Sequence, residues 1–526
     1  MKIVKTLCVF MLLTFVIVSF VSCKSEESKN AELETTENSG VAGKKEDTQH
    51  VSEKSEPQQI AEGRQVTLLV DLHGWMPTVN TEPTAENPNV FLSTQKIADE
   101  FMKIHKNINI QWARTKPVGA LEQDTAQWFT TQIAAGDCPA IAFSWGTKYQ
   151  DRDWYDILDD VIDTPNEYVE GNSKWREMFP EYLFKHLTDV KQQLVAIPIT
   201  VFSGPPTGYF YNKNIFEELK IQPPKNWEEL GAMVKKVREK GYIPVYPWGF
   251  FKKIELNQWC MQFSVGPAFA GAIMDKTDYN KDGIVDASES LRGVKEGYYN
   301  PVEHEYAREM FRQLKRYYNE FLEKGWENTD YYPSWNEGKV AVREEGMWAL
   351  QAENNNKERK FEFGAFPVPI VTKETSEYVA DIKFTEKGPY QPLPDFVLNI
   401  MKPAVKDKKD VRDAAVAFLK FLTKPENISM MILEQGASLG AVKGTEIPPL
   451  LSDWMNQSFP IIPRVSWPLA FTDEQNNILN KEFEMWVKNS MNDTVFFDKV
   501  NKIQQRGADD YIRKMDIDTN GWDIKK

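Results

Sequence analysis

The chain has 526 residues and a formal net charge of −14. An acidic chain is not expected to bind nucleic acid, because that affinity depends on Lys and Arg neutralising phosphates. The length exceeds what one ordinary hydrophobic core supports, so the folded part is predicted to divide into two lobes.

The first residues have the pattern of a secretory signal. Lys2 and Lys5 precede an apolar run that reaches Phe20, shorter than the roughly 20 apolar residues that a comfortable membrane span needs. The run ends in "FVSC", which resembles the lipobox of bacterial lipoproteins, where the signal is cut before a cysteine that then carries the lipid (palmitate). Phe20 departs from that pattern, since leucine is usual there. We predict a signal peptide at 1–22 and lipidation of Cys23; the alternative is an ordinary signal peptide with a chance cysteine.

The segment that follows, 23–64, is predicted to be a flexible tether. It contains no Phe, Trp or Tyr and is rich in Glu, Lys, Ser, Thr, Asn and Gln. Such a composition cannot bury enough apolar surface to offset the entropy lost on ordering. The folded body is therefore expected to begin near Gln65, and no other stretch approaches a membrane span.

The body opens with alternating strands and helices. A buried strand is predicted at "VTLLVDLHGW", ending in a turn at Gly74, and a helix at "FLSTQKIADEFMKIHKN", capped by Ser93. A second strand follows at "INIQWARTK". The stretch "AQWFTTQIAAGDCPAIAFSW" predicts a helix that stops at Gly136 and then a third strand. This order indicates an α/β lobe with a largely parallel sheet.

The pattern continues downstream. Strands are predicted at "VAIPITV", "TGYFYNK" and "IPVYPWG", and an amphipathic helix at "NWEELGAMVKKVREKG". A further helix, "KDVRDAAVAFLKFLTKPE", is expected to end at Pro425.

The ordered series of segments resembles the family 1 extracellular solute-binding proteins, the sugar-capturing subunits of ABC importers. The matching segments are, in chain order, "IAAGDCPAIAFSWG", "VAIPIT", "GYFYNKNIFEELKIQPPKNWEELGAMVKKV", "WNEGKVAVREEGMWAL", "FGAFPVP" and "FLTKPE". No single motif is specific to this family, but the ordered series covers nearly all of the body. The nearest branch is the larger lipoproteins related to alginate-binding proteins, some of which carry an EF-hand-like calcium loop.

The resemblance implies an α/β, two-lobed periplasmic-binding-protein fold of the type II kind. Its chain crosses between the lobes three times, and we place the crossings near Ile199, Pro367 and Asn427. The predicted lobes are 65–199 plus 368–426 and 200–367 plus 427–526. Ligand is expected in the cleft between the lobes, which close on it about a hinge.

The stretch "DYNKDGIVDASE", residues 278–289, has the spacing of an EF-hand calcium loop. The predicted ligands are the side chains of Asp278, Asn280, Asp282, Asp286 and Glu289 and the carbonyl of Ile284. Gly283 permits the sharp turn at the sixth place. Because no second loop pairs with it, we expect one structural calcium site in a helical insertion of the second lobe, away from the crossings. The alternative is an acidic surface loop.

Signals for catalysis are weak. "GASLG", residues 436–440, matches Gly-x-Ser-x-Gly, but that motif needs a strand before it and a helix after it, and a helical stretch precedes it here. The five histidines show no metal-ligand spacing. A pair of catalytic carboxylates cannot be recognised among so many acidic residues. A secreted carbohydrate-active enzyme of the glycosidase type therefore stays open as the alternative to a binding protein.

The two cysteines of the body, Cys138 and Cys260, exclude a disulfide-dense scaffold and a zinc site of their own. A single bridge between them is open, and two free buried thiols are favoured.

Aromatic residues make up 12% of the chain, and flat apolar faces bordered by polar groups suit sugar rings. Candidates for ligand contact lie at strand ends or near the crossings, and Trp348 lies in a segment that faces the cleft in relatives. The predicted stacking residues are Trp75, Trp145, Tyr209, Trp248 and Trp348. The predicted hydrogen-bonding residues are Asp71, Lys148 and Glu353.

We therefore predict a monomeric receptor, lipid-anchored on the extracytoplasmic face of the cell membrane. It is expected to capture a carbohydrate, an oligosaccharide in view of the chain's size, and to deliver it to ABC permease subunits. Contact with the membrane would be through the lipid only. The charge of the ligand stays open: an acidic saccharide would need cleft cations such as Lys148, Arg152 or Arg114, whereas a neutral glycan fits the aromatic content.

Overall fold

The computed structural model describes residues 64–82, 90–116, 122–204, 207–247, 253–256 and 258–524. The predicted signal peptide, the tether, Cys23 and Trp248 lie outside the described residues. All described residues belong to one unit, Pro57–Lys526. None of the described helices combines the length and the apolarity that crossing a bilayer requires.

Strands and helices alternate along the described chain. The strands are β1 (Val66–Asp71), β2 (Ile108–Trp112), β3 (Ile141–Ala142), β4 (Ile197–Pro198), β5 (Thr200–Val201), β6 (Thr207–Asn212), β7 (Ile243–Tyr246), β8 (Val340–Gly346), β9 (Phe363–Pro367), β10 (Val397–Ile400) and β11 (Leu439–Gly440). The helices are α1 (Ser93–Ile104), α2 (Glu122–Ala135), α3 (Asp159–Ile162), α4 (Lys213–Leu219), α5 (Trp227–Glu239), α6 (Gly266–Gly271), α7 (Met274–Thr277), α8 (Ala287–Lys295), α9 (Glu305–Arg316), α10 (Tyr332–Asn336), α11 (Leu350–Asn354), α12 (Lys402–Val405), α13 (Lys409–Leu422), α14 (Pro425–Gln435), α15 (Ser452–Met455), α16 (Asp473–Val487) and α17 (Asp493–Met515).

The first lobe is built on a sheet with the strand order β2-β1-β3-β10-β4. β1 runs parallel to β2 and β3, as predicted, whereas β10 runs antiparallel to β3 and β4. The sheet is mixed because the chain re-enters it from the second lobe, at the edge where β1 and β3 end. Leu68 of β1, Phe101 of α1 and Phe418 of α13 are fully buried in one core.

The second lobe is built on a four-stranded sheet with the order β7-β8-β6-β9. β6 is antiparallel to both of its neighbours, and β7 is parallel to β8. Phe210 of this sheet, Trp227 of α5, Phe311 of α9 and Trp486 of α16 are buried in one core. The lobe therefore has a hydrophobic core of its own.

The short strands β5 and β11 pair with each other beside the lobe boundary. β6 belongs to the second sheet, so the first crossing follows Val201. Ile428 and Ile432 of α14 are fully buried in the first-lobe core, as is Val442, whereas Leu451 lies in the second-lobe core. Ala437, between Ile432 and Val442, also lies in the second-lobe core, so the third connection runs along both cores over 437–451. The crossing near Asn427 stays a prediction.

Local signals fix some helix ends and distant contacts fix others. Gly136 ends α2 with a φ of +80°, as predicted, and Asn226 caps α5 through its side chain. Ser93 was expected to cap α1, but its side chain makes no capping bond. The carboxylate of Glu434 accepts the N–H groups of Leu92 and Ser93 instead, each at 2.9 Å. The cap of α1 thus comes from the end of α14.

Candidate functional site

One edge of the first sheet collects the ends of several strands. β1 and β3 are parallel, so their carboxyl ends lie at the same edge, and the antiparallel β10 begins there. β4 also ends at this edge and leads into β5 and the first crossing. The carboxyl edge of parallel strands is where α/β sheets bind ligands. This edge is therefore the candidate site.

Five rings lie at this edge, and we call them the aromatic edge: His73, Trp75, Phe143, Trp145 and Phe396. Trp75 stacks on Phe396 with centroids 5.8 Å apart, and Phe396 stacks on Phe143 at 5.5 Å. Phe143 contacts Trp145 at 4.9 Å and His73 at 5.0 Å. Trp145 remains 38% exposed. The structure thus brings two predicted contact residues, Trp75 and Trp145, into one cluster.

The backbone at the aromatic edge is strained. His73 has a φ of 49° and Trp145 a φ of 59°, both in the left-handed region that residues other than glycine seldom adopt. Each follows a parallel strand by two or three residues. Such conformations cost free energy and concentrate at binding sites. The strain holds the Trp145 ring outward at the end of β3, and no sequence pattern signals it.

A buried ion pair lies beneath the edge. Asp71 is fully buried, and its carboxylate accepts the Lys116 ammonium at 2.7 Å and the His73 N–H at 2.8 Å. Lys116 also donates to the Phe143 carbonyl at 2.8 Å. Asp71 was predicted to hydrogen-bond the ligand, but these contacts occupy it below the surface. Its role is to fix the turn that carries His73.

His73 is the polar group at the edge that the sequence did not suggest. Burial, followed by the charge of Lys116, lowers its pKa to about 4. The imidazole is therefore neutral at physiological pH, with one nitrogen able to donate and the other able to accept. A neutral imidazole beside an exposed indole suits a ligand rich in hydroxyl groups.

Two candidates from the second lobe are buried. Tyr209 lies within β6, is 1% exposed and packs against Phe366. Glu353 is 2% exposed and pairs with Arg343 at 2.9 Å and with Arg359 at 2.8 Å. Neither side chain is open to a ligand, which corrects the sequence-based assignment. The place of Tyr209 just past the first crossing could not tell which face of β6 the lobe covers, and nothing in the sequence near Glu353 signals its two arginine partners.

Trp348 and Lys148 are placed differently. Trp348 is 37% exposed, and its ring lies edge-on to Trp259 at 5.3 Å. A Cβ at Gly346 would collide with the Trp348 ring, so only glycine permits this position. Lys148 is half-buried, one turn beyond Trp145, whose carbonyl accepts its backbone N–H at 3.2 Å. Ligand contact by Trp75, Trp145, Lys148 and Trp348 stays a prediction.

A cavity of about 500 Å³ lies between the lobes. The first lobe contributes Thr147 and His186 to the walls of this cavity. The segment that crosses between the lobes contributes Tyr390, and the second lobe contributes Phe263 and Trp467. Thr147 lies two residues beyond Trp145. A cavity of this size with aromatic walls and a few polar groups is typical of a small-molecule site.

Arg464 reaches across this cavity from the second lobe. Its Nη1 lies 3.1 Å from His186 Nε2, its Nη2 donates to the Gln391 carbonyl at 2.6 Å, and its guanidinium lies over Tyr182 at 4.9 Å. Burial and the Arg464 charge lower the pKa of His186 to about 4. Neither residue was suggested by the sequence.

The loop 278–289 has the turns that the sequence predicts. Asp278 accepts the N–H groups of Asp282 at 3.2 Å and Gly283 at 3.0 Å, and Gly283 has a φ of +83°. Asp286 caps α8 in a reciprocal capping box with Glu289. The loop backbone is thus wound around its own side-chain oxygens.

The oxygens of this loop do not converge on one point. Glu289 is 6% exposed, and its carboxylate accepts the N–H groups of Tyr279, Asn280 and Asp286 at 2.8–3.1 Å. Burial raises the pKa of Glu289. Within the described residues, no group of three or more His, Cys, Asp or Glu side chains is arranged to hold a metal ion. The donor types and their order fit calcium, and its binding stays a prediction.

The same loop contacts the first lobe, although it was expected to lie away from the lobe boundary. Lys185 pairs with Asp282 at 2.8 Å, and Gln192 donates to Asp286 at 2.8 Å. Val190, between these two first-lobe residues, is buried in the second-lobe core. The segment 185–192 is therefore docked onto the loop.

The remaining chemical motifs have structural roles. Ser438 of "GASLG" is buried, with α14 before it and β11 after it, the reverse of the order that a nucleophile motif needs. Cys138 and Cys260 are free thiols, as predicted; Cys260 is buried, whereas Cys138 is only half-buried. Burial raises the pKa of Cys138 to about 12, which keeps it protonated and unreactive.

Comparison with protein families finds a match to the model described as "Bacterial extracellular solute-binding protein", over residues 85–428. Among curated proteins, an uncharacterised ABC transporter extracellular-binding protein of Pyrococcus horikoshii is 24% identical over 148 residues. That alignment covers 27% of this chain and 30% of the relative, so the match spans under a third of that protein.

Solved structures of low sequence identity share the fold. A chitin oligosaccharide binding protein has a TM-score of 0.56 at 16% identity, covering 85% of this chain and 100% of its own. Maltose-bound MalE3 of T. maritima has a TM-score of 0.53 at 14% identity, and the match covers 84% of this chain and 99% of MalE3. RafE in complex with raffinose has a TM-score of 0.50 at 16% identity, and the match covers 84% of this chain and 100% of RafE. These likenesses confirm the predicted α/β fold of two hinge-linked lobes.

Proposed function

This chain belongs to the bacterial extracellular solute-binding proteins, and we propose that the solute it captures is a carbohydrate. Proteins of this family bind solutes and are not enzymes. The observation that carries the proposal is the aromatic edge, where Trp145 is 38% exposed and held outward by a strained backbone. Indole faces stack on the apolar faces of pyranose rings, while polar groups at their margins bond hydroxyls.

The polar groups beside the edge agree with a hydroxyl-rich ligand. His73 is neutral, because its pKa is lowered to about 4. Arg152, one of the cations suggested for an acidic ligand, already pairs with Asp473 at 2.5 Å. Three of the similar structures, a chitin oligosaccharide binding protein, a maltose complex and a raffinose complex, are also named as saccharide binders. We favour a neutral oligosaccharide.

The membrane part of the proposal depends on the sequence. The lipobox-like "FVSC" supports a lipid anchor at Cys23 on the extracytoplasmic face. Delivery of the ligand to ABC permease subunits is supported by the family and by the name of the Pyrococcus relative, an ABC transporter extracellular-binding protein. We propose a monomer that touches the membrane through its lipid only.

Calcium is proposed as a structural ion of the loop 278–289. The support is the order of the donors along the chain and the buried Glu289 carboxylate, whose charge no described cation pairs with. The six proposed ligands are Asp278, Asn280, Asp282, Ile284, Asp286 and Glu289. A bound ion would hold the loop that docks on segment 185–192.

The experiment is a thermal-shift screen of the purified full chain with maltotriose, chitotriose, raffinose and tri-galacturonate. We expect at least one neutral sugar to raise the melting temperature, because a ligand that binds only the folded state stabilises it by mass action. The same sugar should be recovered chemically unchanged. Absence of a shift with all four sugars at millimolar concentration would contradict a carbohydrate ligand, and a shift with tri-galacturonate alone would reverse the assignment of a neutral one.

A further inference from the structure

The three connections between the lobes meet at one place. Thr200 begins the first connection, Asp395 ends the second, and Ser438 and Gly440 belong to the third. Gly440 pairs with Thr200 in the β5–β11 ladder. The Asp395 N–H donates to the Thr200 carbonyl at 2.9 Å. A change in lobe angle must therefore move groups around Thr200.

The carboxylate of Asp395 joins these connections. Its Oδ2 accepts the Thr200 hydroxyl at 3.1 Å and lies 3.5 Å from the Ser438 hydroxyl, a long contact. Thr200 Oγ1 in turn accepts the Phe396 N–H at 3.2 Å. One carboxylate thus touches a residue from each of the other two connections.

No cation balances this carboxylate. None of the described Lys, Arg or His side chains pairs with Asp395, and the two hydroxyls are the polar side chains that face it. Burial raises its pKa to about 6, and the bonds from Thr200 and Ser438 only partly oppose that rise. Asp395 as a whole is half-buried, and its ionised carboxylate, with so few donors, is poorly solvated where the connections are packed together.

We propose that Asp395 sets how readily the lobes close: its ionised form favours the open arrangement, and its protonated form favours the closed one. Hinge motion changes the dihedral angles of connecting residues. Opening separates the packed connections and lets water solvate the carboxylate, whereas closing removes that water. The inference rests on the proposed function, because the ligand is taken to bind between closed lobes.

The sign of the pH dependence follows. The pKa of Asp395 is about 6 where the connections are packed, and hydration on opening returns it toward the ordinary value of 3.8. Between these values the closed form binds the proton more tightly, so acid favours closure. Ligand affinity is therefore expected to rise as the pH falls through about 6 and to be weakest above it.

The test compares Asp395→Asn, wild type and the control Asp137→Asn, which removes an exposed carboxylate at the end of α2. Each is titrated by calorimetry between pH 5 and pH 7.5 with the sugar that gives the largest thermal shift. Each pKa unit is a factor of ten, so full hydration on opening would change the affinity about a hundredfold, but only once the pH lies below the ordinary value of 3.8. At pH 5 we expect wild type and the control to bind about threefold to tenfold tighter than at pH 7.5. Asp395→Asn should bind tightly at both pH values.

A second variant separates charge from packing. Thr200→Val keeps the shape of residue 200 but removes the hydroxyl that stabilises the ionised form. Its affinity profile should keep the wild-type amplitude, with the midpoint moved to higher pH. An Asp395→Asn profile that still follows wild type, or a Thr200→Val midpoint that does not move, would overturn the proposal.

A measurement without ligand keeps the two proposals distinguishable. In small-angle X-ray scattering, the ligand-free wild type should be more compact at pH 5 than at pH 7.5, and Asp395→Asn should be compact at both. If no sugar binds wild type, the carbohydrate proposal fails while this result still decides the role of Asp395. Equal dimensions for both proteins at both pH values would overturn the hinge role, whatever the ligand.

Discussion

The aromatic edge of the first lobe, with the ion pair beneath it, and the charged cluster of the second lobe both combine indole rings with paired charges, in opposite environments. The charged cluster consists of Arg343, Glu345, Glu353 and Arg359 with the indole of Trp335. Its two carboxylates pair with its two guanidinium groups, and Trp335 donates to Glu353 at 3.0 Å. Burial raises the pKa of Glu345, and Arg343 opposes that rise. Both carboxylates of the cluster are paired within it, so neither is available to a ligand.

The rings of the aromatic edge, in contrast, remain partly accessible to a ligand. Trp145 keeps more than a third of its surface exposed, and the neutral His73 adds a donor and an acceptor. The one charged pair, Asp71 with Lys116, lies beneath the edge and supports it. A buried polar network thus stabilises a lobe, whereas an exposed ring on a strained turn is available for binding. Residue type alone does not separate the two.

The largest expected effect breaks the charged cluster. Glu353→Ala leaves Arg343 and Arg359 without a shared buried partner, which should lower the free energy of unfolding by about 3–5 kcal/mol. Urea denaturation measures it. Sugar affinity of the folded fraction should be unchanged, since Glu353 does not reach the surface.

The control for that variant is Glu358→Ala, at an exposed position four residues beyond α11. It should change stability by no more than about 0.5 kcal/mol. Removing one partner of a buried ion pair usually costs several kcal/mol. If Glu353→Ala lowered the free energy of unfolding by less than about 1 kcal/mol, water would have to replace the missing carboxylate.

A smaller loss is expected in the loop 278–289. Asp278→Ala or Glu289→Ala should lower the melting temperature by several degrees, since a change of about 1 kcal/mol moves a large domain by roughly 2–4 °C. The wild type should lose a similar amount on chelation, and the variants should then be insensitive to chelator. Sugar affinity well below melting is expected to change little.

Two other outcomes would be informative for this loop. Wild-type melting that ignores the chelator would show that the loop is not a filled calcium site. Loss of sugar binding while the fold persists would instead link the ion to the lobe boundary, which the contact of Lys185 with Asp282 makes physically plausible.

The aromatic edge should respond in the opposite way to the charged cluster. Trp145→Ala should weaken sugar binding by about 1 kcal/mol or more, because stacked area is lost, while the melting temperature changes little. Calorimetric titration measures the affinity. Tyr378→Ala, at an exposed ring outside the edge and the cavity wall, is the matched control. Unchanged affinity in both Trp145→Ala and Trp348→Ala would remove these residues from the site.

Sequence patterns predicted those helices and strands whose ends depend on residues close by in the chain. β1 was predicted from a buried apolar run, the end of α2 from the glycine stop at Gly136, and α5 from its amphipathic pattern. The Asn226 side chain that caps α5 is also a local signal, although the prediction of α5 did not use it. The cap of α1 could not be predicted in this way, because Glu434 lies 341 residues from Ser93 along the chain.

The same limit applies to the site. Trp145 could be proposed from its place at a strand end, but the left-handed turn that exposes it depends on the surrounding structure. Tyr209 and Glu353 looked equally suitable, and only the packing of the second lobe shows that they are buried. The roles of Asp395 and Arg464 arise from contacts between segments that are distant in sequence.

The smallest expected effect concerns the docking of segment 185–192 on the loop. Lys185 is 44% exposed and Asp282 29% exposed in their ion pair, so water and salt screen it. Lys185→Met should therefore cost only about 0.2–1 kcal/mol of stability at low ionic strength and less in about 1 M salt.

Lys281→Met is the matched control, because Lys281 belongs to the same loop but donates to the Asp275 carbonyl within the second lobe. Differential scanning calorimetry at the two salt concentrations compares them. A salt-independent loss above about 2 kcal/mol, beyond what exposed ion pairs contribute, would place this contact with the buried pairs of the charged cluster and make the loop a main junction between the lobes.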